Sequence, residues 1–160
     1  MVSVSTPLTF AHPELTPING EPTSSSLSLL QKELYANARQ IYSTRGGGNH
    51  GHLRIMLTDV AYITRTNAIF IIPVHPGVAP VHAAGATAPI AETIRLFNQS
   101  IGYQLLYQRA TAALKQQVIL AVENRYLFKS WKTLNLDSRM SLHRQNVDPP
   151  QNHLRGYHPG

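Results

Sequence analysis

Between Ser24 and Tyr42, apolar residues return at three- and four-residue steps: Leu27, Leu30, Leu34, Ala38 and Ile41. That spacing sets them on one stripe of a helix. Gln31, Lys32, Asn37 and Gln40 fall mostly off the stripe. Ser24, Ser25 and Ser26 offer hydroxyl oxygens to the open amides of the first turn. The helix is expected to end before Gly46-Gly47-Gly48, where ordering the backbone costs most. A second helical stretch starts near Ala88, with Thr87 as a cap and Pro89 in the first turn. Ile90, Ile94, Phe97 and Ile101 step by three and four, and Leu105, Leu106, Ala110, Leu114, Val118 and Val122 carry the pattern on. Gly102 costs about 1 kcal/mol relative to alanine inside a helix. The pattern therefore predicts two helices meeting there, or one bent helix. Tyr126, Leu127, Phe128 and Trp131 cluster at its end, and periodicity is lost from about Lys132.

Shorter elements lie between. Leu53, Ile55 and Leu57 alternate with Arg54 and Met56, which predicts a short strand or extended piece. Thr58 reads as an N-cap, with Asp59 at the positive end of a helix reaching about Thr66. Ala68 to Ile72 is β-branched and aromatic and reads as a short buried strand or extended segment. Pro73, Pro76, Gly77 and Pro80 exclude a regular element after it. Residues 1–23 hold Pro7, Pro13, Pro17 and Pro22 among Ser and Thr, and read as an extended or disordered arm.

The 160 residues are enough for one domain. With 42% hydrophobic residues a core can form. The 14% charged fraction is low, yet it leaves a net charge of +6. Over residues 125–160, Arg125, Lys129, Lys132, Arg139, Arg144 and Arg155 stand against only Asp137 and Asp148. Cysteine is absent, which excludes disulfides, thiolate zinc sites, iron–sulfur clusters and a cysteine nucleophile. No apolar run approaches the roughly 20 residues of a membrane helix. The first residues carry neither a basic region nor a long apolar one, so no secretory signal is expected. The expectation is a cytoplasmic protein without membrane contact.

Candidate chemistry is sparse. Gly46-Gly-Gly48 follows a helix, and Asn49-His50 stands where a phosphate loop needs Lys-Ser/Thr. The stretch reads as a flexible connector. The pairs His50-x-His52 and His75 with His82 fall short of the three ligands a catalytic zinc requires. There is no Gly-x-Ser-x-Gly elbow, and the acidic residues are scattered. These observations predict no enzyme, no cofactor, no metal and no small-molecule substrate. Basic and aromatic residues interleave toward the C-terminus, and such segments neutralise phosphates and stack on bases. Arg125, Lys129, Trp131, Lys132, Arg139 and Arg144 are the candidate nucleic-acid contacts.

Several phrases resemble one family. Leu30-Gln-Lys-Glu-Leu-Tyr-Ala-Asn-Ala-Arg39, Ser43-Thr-Arg-Gly-Gly-Gly-Asn-His-Gly-His-Leu53, Ile72-Pro-Val-His-Pro-Gly77 and Ala79-Pro-Val-His-Ala-Ala-Gly-Ala-Thr87 are similar to the N-terminal Gag-like region of copia-type LTR retrotransposon polyproteins. His12-Pro-Glu-Leu-Thr-Pro17 and Ala113-Leu-Lys-Gln-Gln-Val-Ile-Leu-Ala-Val122 extend the likeness, which runs from about Ala11 to Leu127. The resemblance implies a mostly helical structural protein that associates with itself into a shell around RNA. Two departures stand out. The zinc knuckle of a full Gag needs cysteine, which is lacking here. Beyond Leu127 the chain turns basic and proline-containing, as a frameshifted or truncated copy would.

The resulting expectation is a mainly α fold with one helical domain over residues 24–128, an arm over 1–23 and a basic tail over 129–160. The expected partners are a second copy and RNA. Phe97, Ile101, Leu105 and Leu114 are the candidate self-association residues. The competing reading is a small RNA-binding module acting through the basic C-terminal segment.

Overall fold

Thr23, one residue ahead of the three serines, caps the first helix. Its hydroxyl accepts from the Ser26 amide at 3.1 Å, and Ser26 Oγ accepts from the Thr23 amide at 2.9 Å. This reciprocal pair satisfies two open donors at once and starts α1 (Ser24–Gln40). The structure, a computed structural model, describes residues 6–81 and 89–133. It is mainly helical and forms a single domain: α1, α2 (Asp59–Thr66), α3 (Pro89–Ala121) and α4 (Leu127–Thr133), with 3-10 turns at Leu53–Met56 and Asn124–Tyr126. Among the described residues no strand forms; one parallel bridge joins Ile18 to Val122.

The stripe on α1 is buried as its spacing requires. Leu30, Leu34 and Ala38 are almost wholly enclosed, and they meet Ala110, Leu114 and Val118 of α3 in one cluster. Each such leucine contributes about 2 kcal/mol of burial, which holds the two longest helices together. α2 follows expectation closely. Thr58 Oγ1 accepts from the Ala61 amide, and Asn67 closes the helix in the left-handed region at φ 53°. Tyr62 is its one buried residue.

Leu53–Met56 is a 3-10 turn instead of the expected strand or extended piece. The alternation there reflects no exposed face: Leu53, Arg54, Ile55 and Met56 are all buried. Arg54 tolerates burial because Asp59 accepts from its Nε at 2.7 Å and the Leu57 carbonyl accepts from Nη1. A charge satisfied in this way stays off the surface, so its polarity misleads a period-two reading.

The glycine loop is packed, contrary to the reading as a slack connector. A Cβ on Gly51 would stand 2.1 Å from the Arg39 carbonyl oxygen, and Gly51 has φ +50°. One on Gly46 would stand 2.4 Å from the Tyr62 hydroxyl, and one on Gly47 2.4 Å from Ala68 Cβ. The loop closes the end of α1. The His52 amide donates to the Ala38 carbonyl at 2.9 Å, and its Nδ1–H donates to the Ile41 carbonyl at 2.8 Å. Carbonyls left open at a helix C-terminus find their partners this way.

The described part of the proline-rich arm, residues 6–23, forms no helix and joins the core. Leu15 and Ile18 are buried. Buried polar groups on the helices hold its backbone. The Asn37 side chain exchanges two 2.8 Å hydrogen bonds with the His12 amide and carbonyl, and Glu33 accepts from the Thr16 amide and hydroxyl. The Ile18 amide donates to the Ala121 carbonyl at 2.7 Å, and the Gly20 amide to Glu123 at 2.8 Å. The core thus begins inside the arm and runs past Phe128 into α4, where Leu127 and Trp131 are buried.

Candidate self-association surface

α3 runs unbroken from Pro89 to Ala121, so Gly102 neither splits nor ends it. All its buried residues lie in the second half: Ala110, Leu114, Gln117, Val118 and Ala121. Helical residues advance by about 100° each. On that count Ile90, Ile94, Phe97, Ile101 and Leu105 share one side of α3, and the buried set occupies the opposite side. The nine residues from Leu105 to Leu114 turn the helix by two and a half turns. Leu114, 0% exposed, therefore belongs to the core and cannot join Phe97, Ile101 and Leu105 on one surface. Leu105 is 50% exposed, and Ile90, Ile94, Phe97 and Ile101 are half-buried. The seam from Ile90 to Leu105 is about 22 Å long. Its first turns carry only Glu92 and Arg95 as charges, and these pair with each other at 2.6 Å.

The other side of this helical half touches the body. Tyr107 lies within 6.2 Å of His52 and 6.1 Å of Phe70, ring centre to centre. The Arg45 guanidinium sits 5.3 Å over the Tyr103 ring. A groove of about 740 Å³ opens beside this contact, lined by Leu8 of the arm, Ile41, Tyr42, Leu105, Leu106 and Arg109. Arg109 closes one end by donating to the Thr6 carbonyl at 2.9 Å.

The segment after α2 adds to the apolar surface. Phe70 is buried among Tyr62, His52 and Tyr107, whereas its neighbours Ile69 and Ile71 are 73% and 59% exposed. The Ile71 amide donates to the Arg45 carbonyl at 2.8 Å, which pins the segment without making a strand. Val74, Val78 and Val81 are exposed as well, and His75 meets Phe97 edge to face at 6.5 Å. From Asn67 to Ala91 the sequence holds no Asp, Glu, Lys or Arg. Isolated exposed apolar residues are ordinary, but a run of them beside an apolar helix seam marks a contact site. Of 68–72, read as a short buried strand or extended segment, Phe70 is buried, Ala68 and Ile72 pack partly buried against the core, and no strand forms. The missing charge was the signal that could have found Ile69, Ile71 and Val74.

Four of the candidate nucleic-acid residues, Arg125, Lys129, Trp131 and Lys132, lie among the described residues. Arg125 pairs with Glu123 at 2.8 Å and leans over Tyr126, and Lys129 pairs with Glu21 at 2.9 Å. Glu123 is held below the usual carboxylate range, first by the Gly20 amide and then by Arg125. Trp131 is 7% exposed, so its ring is core and offers no stacking face. Lys132 is exposed, and Arg139 and Arg144 lie outside the described residues.

His50 contacts Tyr62 edge to face at 6.4 Å, and His52 is buried with Nδ1 committed to a carbonyl; His82 lies outside the described residues. Among the described residues no three His, Asp or Glu side chains group as metal ligands. No helix there is long and apolar enough to cross a membrane. No protein family, curated protein or solved structure matches this chain.

Proposed function

We propose that this chain is a non-enzymatic, Gag-like structural protein that associates with itself and encloses RNA. The phrases around Leu30–Arg39, Ser43–Leu53 and Ile72–Thr87 suggest the class. One observation supports the self-association: the seam Ile90, Ile94, Phe97, Ile101 and Leu105 lies opposite the core side of α3, and His75, from the uncharged segment that exposes Ile69, Ile71 and Val74, meets Phe97 on it. Two copies of a chain with charge +6 repel one another, and an uncharged apolar surface is where that repulsion is least. A shared hydrophobic seam between like copies is the geometry of a symmetric contact.

Negative-stain electron microscopy of the purified chain, alone and with RNA, tests the reading. Closed or extended assemblies of repeating subunits are expected. A uniform field of single small particles under both conditions would contradict it and would favour the RNA-binding module.

A further inference from the structure

Three cations lie on the solvent side of α1 and α2 with no ion-pair partner among the described residues. Lys32 and Arg39 are both exposed. Seven residues apart, they lie within about 20° of each other around the helix and about 10 Å apart along it. Arg65 of α2 lays its guanidinium 4.9 Å over the ring of Tyr35, whose hydroxyl accepts from Gln31 Nε2 at 2.8 Å. Both Arg65 and Arg39 act electrostatically on that phenol, so the two guanidinium groups share one neighbourhood.

The acids of these helices are spent elsewhere. Glu33 is buried and holds Thr16 of the arm, and Asp59 accepts from Arg54. None of Lys32, Arg39 and Arg65 forms an ion pair among the described residues. Arg125 and Lys129, in contrast, each face a carboxylate.

We propose that Lys32, Arg39 and Arg65 form a docking surface for the phosphate backbone of single-stranded RNA. Arginine held over a tyrosine ring presents its donors in a planar fork, which suits phosphate oxygens. Leu29 is the one large apolar side chain exposed on α1, too little to enter a lipid interface. Tyr35 is buried beneath Arg65 and cannot stack on a base, so recognition is by charge and independent of base identity. The proposal rests on the RNA-enclosing half of the function above.

Fluorescence anisotropy with a labelled oligo-uridine, titrated with the full chain across a range of salt, tests it. For single strands the logarithmic salt slope is about 0.7 per phosphate contact. Arg39→Gln with Arg65→Gln should therefore flatten the slope by about 1.4 and weaken low-salt binding at least tenfold. Arg39→Lys with Arg65→Lys should recover most of it. The titration is repeated in an Ile101→Asp, Leu105→Asp background, so that lost RNA binding is read apart from lost assembly. An unchanged slope in the glutamine variant would overturn the proposal. So would a loss of the whole slope in an Arg139→Gln, Arg144→Gln variant, or tighter binding to phosphatidylserine vesicles than to RNA.

Discussion

Gly51 and Gly102 answer the same substitution in opposite ways. At Gly51 a Cβ would meet the Arg39 carbonyl at 2.1 Å, on a backbone with φ +50°. Gly51→Ala should cost about 3 kcal/mol, combining left-handed strain with a clash against fixed backbone. Gly102 lies mid-helix with nothing within 4 Å, so Gly102→Ala should add about 1 kcal/mol. Denaturant melts of both variants check the pair, and a neutral Gly51→Ala would contradict the packed loop. His52 carries a pH dependence. Burial between Phe70 and Tyr107 lowers its pKa, against a weaker upward pull from the Ile41 carbonyl. The folded state thus binds this proton less readily than the unfolded chain. The contribution is complete above about pH 7 and is lost as pH falls through the unfolded value near 6.5, by at most about 1.4 kcal/mol per pH unit. Unfolding midpoints compared at about pH 7.5 and 5.5 should show the fall in the native chain and a shallower one in His52→Gln. Equal falls in the two would exclude His52 as the source.

Elements were legible where one stripe meets one partner. α1 and α2 lie close to where the apolar spacing and Thr58 set them, and α3 starts near its proline. What periodicity could not show is which side of a long helix is covered. Leu105 and Leu114 look like one run in sequence, yet nine residues put them on opposite sides, and only Leu114 meets Leu34 and Leu30 in the core. The arm was equally opaque, because its order comes from Asn37, Glu33 and Gln117, far away in the chain. α4 was missed as an element because seven residues give too short a pattern, although Leu127 and Trp131 share its buried side. Ending the domain at Phe128 would remove Trp131 and Ser130, both buried. Trp131→Ala should therefore cost about 3–5 kcal/mol. Thermal melts followed by near-UV circular dichroism would detect this, and an unchanged midpoint would show that the tryptophan adds nothing to the core.

At the scale of the molecule, structure and surface divide along α3. Its second half closes the core against α1 and the arm, and its first half carries an apolar seam that is half-buried from Ile90 to Ile101 and exposed at Leu105. The candidate site was half legible: Phe97, Ile101 and Leu105 stood out by spacing, while Ile69 and Ile71 were hidden in a run that reads as core. Two of the nucleic-acid candidates face acids: Lys129 pairs with Glu21, far away in the chain, and Arg125 pairs with Glu123. The central claim is that copies meet through the α3 seam, and sedimentation velocity across nanomolar to micromolar concentrations tests it most directly. The native chain should shift from monomer to larger species with rising concentration, and Ile101→Asp with Leu105→Asp should stay monomeric at an unchanged melting temperature. A native chain that remains monomeric throughout, or a double variant that associates as strongly as the native protein, would contradict the account.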